Sequence, residues 1–104
     1  MDLLPEFFPQ VTQFEWDEAN SDKNWRRHRV AQAEAEQVFL NRPVLVADDT
    51  KHSSAETRYF ALGRTDAGRE LSIVFTIRAS SLRVISARSM SRRERTLYAK
   101  AKEA

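Results

Sequence analysis

Two histidines, one glutamate and a dense set of arginines are the residues of this 104-residue chain equipped for chemistry. His28 and His52 are best poised to move protons near neutral pH. Glu56 follows His52 by four residues and can serve as a base or as an ion partner for Arg58, two residues on along the same strand face. Arg58, Arg83, Arg88, Arg92 and Arg93 offer planar forks that match phosphate oxygens, and their charge survives burial. Lys23 and Arg27, spaced i,i+4, add a compact basic cluster on one helix face. No cluster has metal-ligand spacing and cysteine is absent, so thiol catalysis and zinc-thiolate sites are out and no cofactor is expected.

The charges are segregated along the chain. Residues 1–57 carry six basic and eleven acidic side chains, a balance of −5, whereas residues 58–104 carry eleven basic and four acidic, a balance of +7. Thirteen of the seventeen basic residues are Arg. An Arg-rich half points to nucleic acid or to an acidic protein partner. No apolar run approaches the roughly 20 residues that span a bilayer, and the N-terminus lacks the order of a secretory signal, so a soluble, cytoplasmic protein is expected.

These side chains need elements to hold them. Residues 1–10 form an N-terminal arm in which Leu3, Leu4, Phe7 and Phe8 are interleaved with Pro5 and Pro9, and packing of the arm on the body is expected. Val11 to Trp16 reads as a strand with Phe14 and Trp16 on one face. Asp17 is a plausible N-cap for a helix from Glu18 to about Arg29, in which Trp25 is read as a packing residue. Ala31 to Leu40 forms a second helix with Ala35, Val38 and Phe39 on a buried stripe. Strand character follows at 44–47, 57–62 and 70–78, with a polar loop holding His52 and a turn over Gly63 to Arg69. A tight connection at 79–81 leads to an apolar strand, Val84-Ile85, flanked by Arg83 and Arg88. Those two arginines have opposite parity, so they share a face only if a bulge intervenes. Ser91 and Glu94 form a capping-box pattern for a closing helix, with Leu97, Tyr98 and Ala101 on its core stripe. The order is β-α-α-β-β-β-β-α, predicting one α+β domain over residues 1–104 in which helices pack on one face of a mainly antiparallel sheet of four or five strands.

Several separated blocks carry a family resemblance: Phe14-Glu15-Trp16-Asp17, Asn24-Trp25-Arg26-Arg27-His28-Arg29-Val30, His52-Ser53-Ser54-Ala55-Glu56-Thr57-Arg58, Gly63 to Arg69, and Arg83 to Arg88 with Arg92, Arg93 and Glu94. In order and spacing, over roughly Phe14 to Tyr98, they resemble the BrnT family of bacterial toxins. Arg29 departs from the family's usual glycine after the histidine, a position where glycine suits a left-handed helix cap. The resemblance implies a RelE/ParE-like fold and metal-independent cleavage of RNA that halts translation. It also implies neutralisation by a BrnA-type ribbon-helix-helix antitoxin, and operator DNA bound only through that complex.

Cleavage by internal attack needs a base for the 2′-hydroxyl, cations for the charged phosphorane and an acid for the leaving oxygen. His28, His52, Glu56 and Arg88 are the catalytic candidates; Lys23, Arg27, Arg58, Arg64, Arg83, Arg92 and Arg93 are the RNA-binding ones. Arg88 is favoured because it sits at a strand end beside a helix start. His28 is equally suited to a structural helix end. The competing reading is a non-catalytic module that binds nucleic acid or protein, or a ParE-like toxin that poisons a protein target.

Overall fold

The computed structural model describes Leu4, residues 6–49 and residues 56–104. In chain order these contain β1 (Gln13–Glu15), α1 (Glu18–His28), α2 (Gln32–Leu40), β2 (Leu45–Asp48), β3 (Arg58–Arg64), β4 (Glu70–Arg78), β5 (Ser81–Ser89) and α3 (Arg92–Glu103). The predicted order of elements therefore stands. The strands form one sheet in the order β1-β5-β4-β3-β2.

The mainly antiparallel sheet is met in part, and the placement of the helices needs correction. The sheet is mixed: β2 to β5 form an antiparallel meander, but β1 lies parallel to β5, with Phe14 opposite Leu82. The long connection through α1 and α2 returns the chain to the far side of the sheet and leaves β1 parallel to the last strand. The helices also do not share one face. Alternation along β3 sends Tyr59 and Ala61 to one side, where they join Leu71, Ile73, Phe75, Leu82 and Val84 beneath α2's Ala35, Val38 and Phe39. Leu62 points the other way and packs with Met90 and α3's Tyr98 in a second, smaller cluster. Tyr98 is buried, and its hydroxyl donates to the Pro43 carbonyl at 2.6 Å.

α2 approaches β3 closely because Gly63 has no side chain; a Cβ there would lie 2.7 Å from Val38 Cγ1. Within the arm, Leu4 is fully buried and the Phe8 ring meets Tyr59 and Phe75 edge-on at 5.0 and 6.1 Å, as expected, whereas Phe7 is 44% exposed. α1 sits differently from α2, against the edge of β5. The Asn24 side-chain oxygen accepts from the Ala87 backbone amide at 3.2 Å, so α1 satisfies a strand amide that β1 is too short to reach. Asn24 is the buried residue of this helix. Trp25, read from sequence as a packing residue, is 48% exposed with the Arg29 guanidinium 5.4 Å from its ring centre. Leu97 is likewise 55% exposed rather than in the core. Among the described residues no helix is long and apolar enough to cross a membrane.

Candidate functional site

The sheet face away from α2 gathers the cations, and strand register builds it. Arg58 on β3 stands opposite Thr76 on β4, and Thr76 stands opposite Arg83 on β5, a row across three strands. Farther along, Leu62, Ser72 and Arg88 form a parallel row. Between the rows the β4–β5 pairing shifts, Val74 facing Ser86 while Phe75 faces Val84, so Ile85 is an extra residue on β5. That bulge reverses the parity and brings Arg83 and Arg88 to the same face.

A polar cleft of about 370 Å3 opens at the first row, lined by Arg58, Thr76, Arg83, Ile85 and Glu56, with Asn20 and Lys23 from α1. Arg83 reaches Asp17 at 2.8 Å. Asp17 is the N-cap of α1, accepting from the Asn20 amide at 3.1 Å, so one carboxylate anchors both the helix and the arginine. Arg83 Nε is buried and has no partner among the described residues. Thr76 donates its hydroxyl to the Thr57 carbonyl at 2.8 Å.

Glu56 bonds Arg78 at 2.9 and 3.1 Å, not Arg58 as expected from sequence. Antiparallel register explains this: Arg58 faces Thr76, so the residue two before one lies beside the residue two after the other. The Arg78 hydrogen bond, and then the charges of Arg78, Arg83 and Arg58, hold the Glu56 carboxyl below the usual carboxylate range.

The second row is neutralised from within. Arg88 clasps Glu94 with two bonds, 2.7 and 3.0 Å. Glu94 also accepts from the Ser91 amide at 2.8 Å and contacts Ser72 Oγ at 3.3 Å, while Ser91 Oγ accepts from the Glu94 amide. The predicted capping box is therefore formed, and it doubles as the brace between α3 and the sheet. The Arg88 bond, reinforced by Ser91, lowers the Glu94 carboxyl to about 2. Arg92 and Arg93 are exposed in the first turn of α3. Arg64 lies at the far end of β3 from Arg58, donating to the Arg42 carbonyl at 2.8 Å. Arg27 is exposed on α1, one turn beyond Lys23.

His28 closes α1 at the other end of β5 from the cleft. Arg69 holds that helix end, donating to the carbonyls of His28 at 2.9 Å and Arg29 at 2.7 Å, pairing with Glu34 at 3.2 Å and reaching Ser89 Oγ at 3.5 Å. His28 thus belongs with the Arg88 and Arg92 end of the sheet, whereas Lys23, Glu56, Arg58 and Arg83 converge on the cleft. His52 lies outside the described residues. Sequence reasoning missed Asn20, Thr76, Arg69 and Arg78; the last two stood in view as arginines, but only the register and the helix end give them partners. Among the described residues no group of three or more His, Asp or Glu is placed to hold a metal ion.

A mixed sheet with its apolar face under a helix and its cations rowed on the other defines a small α+β domain suited to a polyanion. The family profile described as "Ribonuclease toxin, BrnT, of type II toxin-antitoxin system" matches residues 16–94. The chain belongs to this family of BrnT ribonuclease toxins. Among solved structures, the 1.1 Å crystal structure of the Brucella abortus ribonuclease toxin BrnT is similar in fold, with a TM-score of 0.57 and 24% identity over 79% of this chain and 100% of that one. No match was found among curated protein sequences. The matched range runs from Trp16, just after β1, to Glu94, so it takes in the cleft and the Arg88–Glu94 brace and leaves out the arm, β1 and most of α3.

Proposed function

We propose that this chain cleaves RNA without a metal ion, with the cleft at Arg58, Thr76 and Arg83 as the reaction centre. The observation that carries the reading is the cross-strand row itself: two guanidiniums and the Lys23 ammonium converge on one cleft, and Arg83 Nε points a buried donor with no described partner. The oxygens of a phosphodiester match such forks and join the carboxylates that already hold them. In this reading the 2′-hydroxyl loses its proton to Glu56 and its oxygen attacks phosphorus. The P–O5′ bond then breaks, and the leaving oxygen takes a proton from His52, four residues before Glu56 in sequence. The products are a 2′,3′-cyclic phosphate and a 5′-hydroxyl. Arg58, Arg83 and Lys23 stabilise the doubly charged phosphorane. Arg88 acts as a positioning residue through Glu94, and Arg27, Arg64, Arg92 and Arg93 extend the track for the flanking strand. His28 serves the helix end and the same track.

Blocked translation follows from cleavage of messenger RNA. A BrnA-type ribbon-helix-helix antitoxin would neutralise the chain by covering this face, and operator DNA would be bound by the antitoxin within the complex. The test is cleavage of RNA in EDTA. Cleavage by the unmodified chain, lowered at least 100-fold in Arg83→Met and in Glu56→Gln, supports the reading. RNA that is bound but left intact at excess protein refutes it in favour of a non-catalytic binding module.

A further inference from the structure

The sheet face that carries the cleft is not uniformly polar. Between β2, β3 and α3 lies an apolar hollow of about 230 Å3, lined by Leu45, Ala47, Phe60, Leu62, Glu94 and Leu97. Register gives its floor: Ala47 faces Phe60, Phe60 faces Val74 and Val74 faces Ser86. This row lies two residues along β3 from Arg58, on the same face. Two residues of strand span about 7 Å, the reach from a phosphate to the base of its own nucleotide. The wall is Leu97, a large aliphatic side chain left more than half exposed on α3. Both Glu94 oxygens are engaged by Arg88, Ser91 and Ser72, so the carboxylate there is already paired.

We propose that this hollow is a nucleobase subsite. With an RNA phosphate held at Arg58 and Arg83, the base of an adjoining nucleotide stacks on Phe60 and lies under Leu97. The inference rests on the ribonuclease reading above and adds where the base goes. Charge complementarity fixes the backbone on the arginine row, and one nucleotide of reach then ends on an aromatic ring in an apolar enclosure. Recognition is by stacking and not by hydrogen bonds, so it tolerates any base and favours the larger purines by a few-fold.

The test uses a short RNA with one cleavable position, together with two versions carrying an abasic nucleotide on the 5′ or the 3′ side of it. The wild-type chain cleaves one of the abasic versions about tenfold more slowly than the intact RNA. Phe60→Ala and Leu97→Ala slow cleavage of the intact RNA by a comparable factor and leave that abasic version unaffected. Leu97 is exposed, so Leu97→Ala keeps the measurement open even if loss of the Phe60 ring unfolds the domain. Equal slowing on intact and abasic RNA, or no slowing by either variant, overturns the subsite. So do variants that cleave normally but escape the antitoxin, since the hollow then seats a protein segment. Affinities of the same variants for RNA with a 2′-deoxy nucleotide at the cleavage position read the subsite independently of catalysis. If the wild-type chain cleaves nothing yet binds this RNA with the same intact-to-abasic difference, the ribonuclease reading fails and the subsite stands.

Discussion

Glu94→Gln removes one charge from the brace between α3 and the sheet while keeping its shape. The carboxylate accepts two bonds from Arg88, one from the Ser91 amide and a longer one with Ser72. The amide of glutamine can replace one oxygen, but its nitrogen then faces an Arg88 donor with nothing to accept. The fall of the Glu94 carboxyl from 4.5 to about 2 corresponds to about 3 kcal/mol of stabilisation at neutral pH. Solvent screens part of this, because the Arg88 side chain is 40% exposed and that of Glu94 23%; about 2 kcal/mol is the discounted figure. Sign follows from the depressed folded-state value: the stabilisation is complete above 4.5 and is lost as pH falls from there towards 2. Thermal unfolding at pH 7 should therefore show Glu94→Gln melting roughly 8–15 °C below wild type, from about 4–8 °C per kcal/mol in a domain of this size. The gap should close progressively below pH 4.5. A gap that stays constant down to pH 2 would mean that shape or helix capping, and not the charge, is what Glu94 supplies.

Two further substitutions test the backbone that frames the site. Arg29 holds φ 54° and ψ 40° at the end of α1, a left-handed conformation that costs an arginine roughly 1 kcal/mol. Its guanidinium over Trp25 returns about 0.5 kcal/mol, so Arg29→Gly should be stabilising by a few tenths of a kcal/mol in urea denaturation; a loss of 1 kcal/mol or more would place the Trp25 contact above the backbone strain. Gly63→Ala places a methyl 2.7 Å from Val38 Cγ1 and 3.2 Å from the Val38 carbonyl, and overpacking of this kind costs about 1–3 kcal/mol, which the urea midpoint should report.

What could be read from the chain was whatever depends on neighbours in sequence. Ser91 and Glu94 are three apart, so their capping box is local, and α2's stripe of Ala35, Val38 and Phe39 repeats at helical spacing. The two faces of β4 alternate along one strand. The features that define the cleft are not local. Whether Arg83 and Arg88 share a face depends on one extra residue at Ile85, which no composition rule marks, since isoleucine suits a regular strand equally well. The partner of Glu56 depends on the β3–β4 register, which selects Arg78 over the nearer Arg58. β1 has three residues, too few for its pattern to announce a parallel partner. Trp25 looked like core because α1 was read as lying on a sheet face, whereas a helix on a sheet edge buries a narrow stripe, here Asn24.

That edge placement of α1 bears directly on the chemistry. A β1 long enough to pair the whole of β5 would cover the Ala87 amide with another strand and carry the sheet beyond Arg83. Because β1 stops at Glu15 and Asp17 starts the helix, Asn20 and Lys23 are lifted beside the arginine row, and the sheet face acquires a wall. The cation cluster is thus assembled from a strand that ends early and a strand with one residue too many. Either irregularity alone would be insufficient: without the bulge Arg83 and Arg88 would straddle the sheet, and without the short β1 the row at Arg58 and Arg83 would lie on an open, flat surface where water screens every charge.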